Sequence, residues 1–145
     1  SIDKRAGDAH KLTHEKGGKY KATYTLALIN NHEDGKLFFD TYNIPYQVIT
    51  RGANSGKLRV KQPRSYDSSK VLEVRRQLKE QGYGILCDHS NVFRDEDDRT
   101  VVTFSPYHDI SSDVAGEIFL PGYDVEISNL SIYGYGTKTV VIRAT

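Results

Sequence analysis

The sequence predicts a single, mainly β domain with one clear helix, at residues 68–81. Three observations predict it. Apolar and polar residues alternate at period 2 over several short stretches, as half-buried strands require. Clusters of Gly, Asn, Asp and Pro separate those stretches and supply turn chemistry. Helical spacing is convincing in one segment, where Val71, Val74 and Leu78 fall at i, i+3 and i+7.

In chain order, residues 1–18 are polar and read as a flexible arm, and residues 19–145 as one β-rich domain. Tyr20, Ala22, Tyr24, Leu26 and Leu28 alternate with Lys21, Thr23, Thr25 and Ala27, a first strand. The run from Asn30 to Gly35 ends in Asp34-Gly35, a strong turn pair, and predicts a hairpin into a second strand over Lys36–Asn43. Pro45 interrupts before a strand at Tyr46–Thr50, and the loop 51–56 leads to a short strand at Lys57–Lys61. There Lys57, Arg59 and Lys61 share one face and Leu58 and Val60 the other. Asp67, Ser68 or Ser69 caps the helix at 68–81, with Leu72 beside its apolar stripe and Gly82 as its C-terminal stop. Glu73, Arg76, Lys79 and Glu80 cover its outer face.

The second half is again β. Strands are expected at Tyr83–Cys87 and Thr100–Ser105, around the acidic loop 94–99. Ser111-Ser112-Asp113 predicts a brief capped turn reaching Phe119, and Pro121-Gly122 a turn. Tyr123–Tyr133 reads as a long strand and Lys138–Ala144 as its partner across Gly134-Tyr135-Gly136. Val125 and Ile127 share one parity while Leu130 and Ile132 have the other, so the phase slips near Ser128-Asn129. A bulge or strong bend is expected there.

The order from Thr100 onward is short strand, irregular link, long bent strand, Gly turn, strand. With the run from Pro121 through Asp124, Val125 and Ile127 to Tyr133, this block resembles the second half of an OB fold. It is similar to the closing hairpins of single-stranded DNA-binding and telomere-binding domains. The resemblance covers about a third of the chain. It implies an OB-like antiparallel β-barrel, with a β-sandwich as the alternative, in which 107–120 supplies the barrel's helix and 19–61 are additions or part of a larger barrel. The chain has more strands than a five-stranded OB barrel requires.

Composition bounds the function. A net charge of +1 excludes a chain-wide basic field, but 20 Lys+Arg against 19 Asp+Glu leave room for a local patch. No apolar run approaches the roughly 20 residues that span a bilayer, so no membrane partner is expected. The single cysteine, Cys87, excludes an internal disulfide and multi-cysteine zinc sites, and fits a reducing, intracellular compartment. Neither cofactor nor metal is expected. The absence of an initial Met and the strand-like last residues read as those of a fragment of a longer chain.

Basic and aromatic residues interleave in two places. Lys57, Arg59, Lys61, Arg64 and Tyr66 form one group; Tyr133, Tyr135 and Lys138 form the other. Single-strand binders use this combination, cations tracking phosphates and rings stacking on bases for about 1–3 kcal/mol each. The expected partner is therefore single-stranded nucleic acid, DNA slightly ahead of RNA, bound with little sequence preference. The plain alternative for Lys57–Lys61 is a solvated edge strand guarded by lysines. A protein partner or homo-oligomer, as in a structural domain of a viral or multidomain assembly, is the second functional reading. A small hydrolase or nuclease using His89 or His108 with Asp88 or Asp109 is the third, and no established catalytic motif supports it. His10 and His14 stand at i, i+4 on the polar arm. Cys87 reads as a small core residue, and Asp95-Glu96-Asp97-Asp98 as a solvated hairpin loop rather than a cation site.

Overall fold

The computed structural model describes residues 24–62, 68–133 and 138–145. The polar arm, His10, His14, Arg64, Tyr66 and Tyr135 lie outside the described residues. The chain forms β1 (Tyr24–Asn30), α1 (Glu33–Thr41), β2 (Tyr46–Val48), β3 (Lys57–Lys61), α2 (Ser68–Glu80), β4 (Asn91–Arg94), β5 (Thr100–Phe104), β6 (Tyr123–Ser128) and β7 (Thr139–Ala144). Single 3₁₀ segments lie at Gly84–Leu86 and Ser112–Glu117. The strands make two antiparallel sheets, ordered β1-β3-β2 and β4-β5-β7-β6. Among the described residues no ladder joins the two sheets into a closed barrel.

The four-stranded sheet is the middle layer and is buried on both faces. On one face Val92, Val102, Phe104, Val140 and Ile142 pack against Val71, Val74 and Leu78 of α2. On the other, Phe93, Val101 and Val141 pack against Phe38, Phe39 and Tyr42 of α1 and its flank, and against Leu58 and Val60 of β3. Strand alternation sends neighbouring residues to opposite cores, which is why all five residues of β5 are buried.

The expected strand at Lys36–Asn43 is instead the last part of α1, a second helix. Gly35, Phe38, Phe39 and Tyr42 stand at i, i+3, i+4 and i+7, and all four are buried. The adjacent phenylalanines favour a strand locally, but only a helix places both rings in one core. Asp34-Gly35 is accordingly not a hairpin turn. Gly35 lets the helix approach the segment after β6, where an added Cβ would lie 2.6 Å from the Ile132 carbonyl oxygen. Glu33 and Asp34 occupy the first turn, where acidic charge suits the helix dipole.

Both helices end in the same way. In α2, Gly82 adopts φ 91, its N–H donates to Lys79 O and the Tyr83 N–H to Leu78 O. In α1, Asn43 adopts φ 57, its N–H donates to Asp40 O and the Ile44 N–H to Phe39 O. Both are Schellman closures built on a left-handed residue, and Pro45 follows the second.

Three further expectations change. Tyr83–Cys87 is not a strand: it contains the 3₁₀ turn, and β5 pairs instead with β4. Leu72 is 58% exposed, a step off the apolar stripe of α2. The long strand expected to Tyr133 ends at Ser128, whose Oγ accepts from the Leu130 N–H at 3.1 Å. The phase slip is thus a change of core. Val125 and Ile127 pack on the α2 side, whereas Leu130 and Ile132 pack on the α1 side. Among the described residues no helix is long and apolar enough to cross a membrane.

Candidate functional site

The basic strand is not a solvated edge. β3 is the central strand of its sheet, paired with β1 and β2 on either side. Leu58 and Val60 point inward as expected, and Lys57 and Arg59 are half-buried. The expectation that Lys61 is exposed fails, since it is only 6% exposed. Its Nζ donates to the Asp95 carbonyl at 2.9 Å and lies 3.7 Å from Asp98 Oδ1. Its backbone N–H also donates to Pro45 O. A buried ammonium must be paired, and here the pairing ties the small sheet to the β4–β5 loop. Lys61 therefore serves as a structural tie.

That loop has structural work of its own. The Asp95 carboxylate accepts from the backbone N–H groups of Asp97 and Arg99 at 2.9 and 2.8 Å, closing an Asx-type turn. Asp98 adopts φ 63 at its tip. Among the described residues no group of three His, Cys, Asp or Glu side chains is placed to hold a metal ion.

The second predicted group fares differently. Tyr133 lies at the rim of the α1-side core, and its hydroxyl accepts from Asn91 Nδ2 at 2.7 Å. Its ring faces His89, whose centroid is 6.1 Å away, and His89 in turn meets Tyr107 edge-on at 4.7 Å. Tyr107 is 74% exposed, and His89 is exposed as well. Three rings thus meet beside the open end of β5. His89 sits there with φ 50, an uncommon conformation for a residue with a side chain. It directly follows Asp88, whose carbonyl accepts from the Ser105 N–H at 2.8 Å.

Lys138 belongs to the same neighbourhood. Its Nζ donates to Ile110 O at 2.7 Å and lies 3.9 Å from Asp109, in the loop that carries Tyr107. His108 is exposed in that loop. The sequence offers Tyr133 and Lys138 as candidates, but it does not place the rings of His89 and Tyr107 beside Tyr133, and it suggests that histidine only as a catalytic base. The missing signal is three-dimensional, since residues 89, 107 and 133 meet only once β4, β5 and the segment after β6 have packed.

Cys87 lies next to this ring group in sequence but is buried in the α2-side core. Burial pushes its thiol above the usual range, the reverse of an activated nucleophile. The core-residue reading of Cys87 holds.

No match emerged from comparison with known proteins: no family model, no curated protein and no solved structure matches the chain.

Proposed function

We propose that the chain is a single-stranded nucleic-acid-binding module in which unpaired bases stack on the rings of His89, Tyr107 and Tyr133. The observation that carries this reading is the grouping of three aromatic rings, two of them exposed, at the end of a sheet that is packed on both faces. Every base offers a π-face, so such a platform suits binding with little sequence preference. Lys138, tied to the loop that carries Tyr107, supplies positive charge to a phosphate, and Lys57 and Arg59 supply charge on the small sheet. Two separate sheets with a shared core between them support a sandwich-like packing over an OB-like barrel.

The test is fluorescence anisotropy with labelled single-stranded DNA, single-stranded RNA and duplex of one sequence across a salt series. Single strands should bind more tightly than duplex, with affinity falling as salt rises. Tyr107→Ala should weaken binding by about 1–3 kcal/mol, one lost stack. Absence of single-strand binding at low salt, or wild-type affinity in the Tyr107→Ala variant, overturns the reading.

One observation favours a second reading, a protein-interaction domain. The Phe119 ring is 72% exposed, yet its backbone is held on both sides by Gln81, which donates to Phe119 O at 2.7 Å and accepts from its N–H at 2.9 Å. A rigidly presented aromatic is what protein interfaces use as an anchor. Light scattering decides it: a defined oligomer lost in Phe119→Asp supports this reading, and a monomer in both opposes self-association.

A further inference from the structure

A second concave site lies where the two sheets meet. An open cleft of about 490 Å³ is bounded by the end of α1, the turn into β2 and the β4–β5 loop. Tyr46 furnishes aromatic surface, backed by the buried ring of Phe39, whose centroid lies 5.8 Å from its own with the planes tilted by 45°. Pro45 adds apolar wall, and the side chains of Asp40 and Glu96 complete the lining. No Lys or Arg lines the cleft, and neither carboxylate enters an ion pair among the described residues.

The walls are held in place. The Glu96 N–H donates to Asn43 O at 2.8 Å, joining the loop to the turn after α1. Asn43 is in the left-handed conformation, and the Lys61 tie anchors the same loop from beneath. Burial first, and then the neighbouring Asp40 carboxylate, hold the Tyr46 phenol above its usual range, so the carboxylate lies near the ring. A carboxylate there has lone pairs for a donor entering the cleft.

Aromatic faces carry negative potential, and carboxylates add full negative charge. Together they repel phosphate and attract an organic cation. We infer that this cleft binds an alkylammonium or guanidinium group, as a lysine or arginine side chain of a partner peptide or as a small amine. Its residues are distinct from the ring group at His89, so the inference stands independently of the nucleic-acid reading. The cation would lie against the Tyr46 ring and donate hydrogen bonds to Asp40 and Glu96. A guanidinium, with its planar fork of donors, suits carboxylates beside an aromatic ring better than an ammonium does.

The experiment is an NMR titration of the ¹⁵N-labelled protein with N-acetyl-arginine methylamide, with the neutral citrulline analogue as control. The arginine probe should produce saturable shifts at the amides of Asp40, Asn43, Tyr46 and Glu96, and the citrulline probe should not. Glu96→Gln and Asp40→Asn should each weaken the arginine probe about fivefold or more, in line with the loss of a charge-assisted contact. Tyr46→Leu is the independent check on the aromatic wall, and every variant is accepted only if its remaining spectrum overlays the wild type. A short peptide containing one arginine separates the two sources. Tighter binding than the free probe identifies a polypeptide ligand, and equal binding a small cation. Equal binding of the citrulline and arginine probes, or wild-type affinity in Glu96→Gln and Asp40→Asn together, overturns the inference.

Discussion

The two cores on either side of the four-stranded sheet are built differently. The α2 side is mostly aliphatic, with valines 71, 74, 92, 102 and 140 and a single fully buried aromatic, Phe104. The α1 side is aromatic, with Phe38, Phe39, Phe93 and Tyr42 buried and Tyr46 and Tyr133 at its rim. Phe39 alone meets Phe38, Tyr46 and Phe93 at centroid distances of 5.8, 5.8 and 5.3 Å. The aliphatic side closes against one helix by side-chain interdigitation. The aromatic side joins a helix and a second sheet to the first, and polar ties stitch its edges. Tyr42 donates to Glu126 at 3.0 Å while Arg143 pairs with the same carboxylate and lies over the Tyr42 ring, 5.3 Å from its centroid. Lys61 and Asn91 supply the other ties. Both candidate binding surfaces open from the aromatic side, because its rim is where large rings reach solvent with their edges or hydroxyls still fixed.

This contrast can be broken most sharply at Phe39. Phe39→Ala removes a ring shared by three aromatic partners and should cost about 3–5 kcal/mol in chemical denaturation. It should also abolish cation binding in the cleft, whereas an aliphatic truncation such as Val74→Ala should leave that binding intact. Gly35→Ala comes next. In an ordinary helix interior the change gains up to about 1 kcal/mol. Here the new methyl meets the Ile132 carbonyl, and a net loss of about 1–3 kcal/mol is expected from overpacking. A stabilised variant would show that α1 does not pack as closely as described.

Lys61→Ala should cost about 1 kcal/mol, a typical net hydrogen bond, and leave oligonucleotide affinity unchanged. A large loss of binding with unchanged stability would restore Lys61 as a phosphate contact. Tyr42 gives a pH test. Burial first, and then the Glu126 carboxylate, push its phenol up to about 12 from 10.0. The unfolded chain therefore gives up this proton near pH 10 while the folded chain retains it. The stability linked to Tyr42 is whole below pH 10 and falls as pH rises toward 12. Tyr42→Phe should show a shallower alkaline decline than the wild type in denaturation curves taken across that window. The smallest stability effect is expected at Tyr107, where alanine should stay within about 0.5 kcal/mol of wild type because the ring is exposed. That silence is what makes Tyr107→Ala a clean probe of stacking.

Local pattern makes most of the aliphatic side readable, Leu72 and the turn at Gly84–Leu86 apart. The stripe of α2, the Gly82 stop, the capped turn at Ser111 and the pairing of the last strand all follow from spacing and turn chemistry. The aromatic side was misread where propensity and period disagree: Phe38-Phe39 invites a strand, and only the wider interval from Gly35 to Tyr42 carries the helix. Asn43 does in α1 what Gly82 does in α2, but an asparagine in a loop is a weaker signal than a glycine after a periodic run.

The sequence by itself determined a mainly β chain, the helix at α2, the antiparallel closing pair and the inward face of Leu58 and Val60. It also carried the parity change after Ser128, though not its meaning. Tertiary structure alone decided that this change is a passage from one core to the other, that β3 is an interior strand and that Lys61 is buried. It alone brought His89, Tyr107 and Tyr133 together and placed Asp40 and Glu96 along one cleft. The physical reason is that periodicity records which way each side chain faces, whereas burial of a charge and convergence of rings depend on which surfaces distant segments bring to one another.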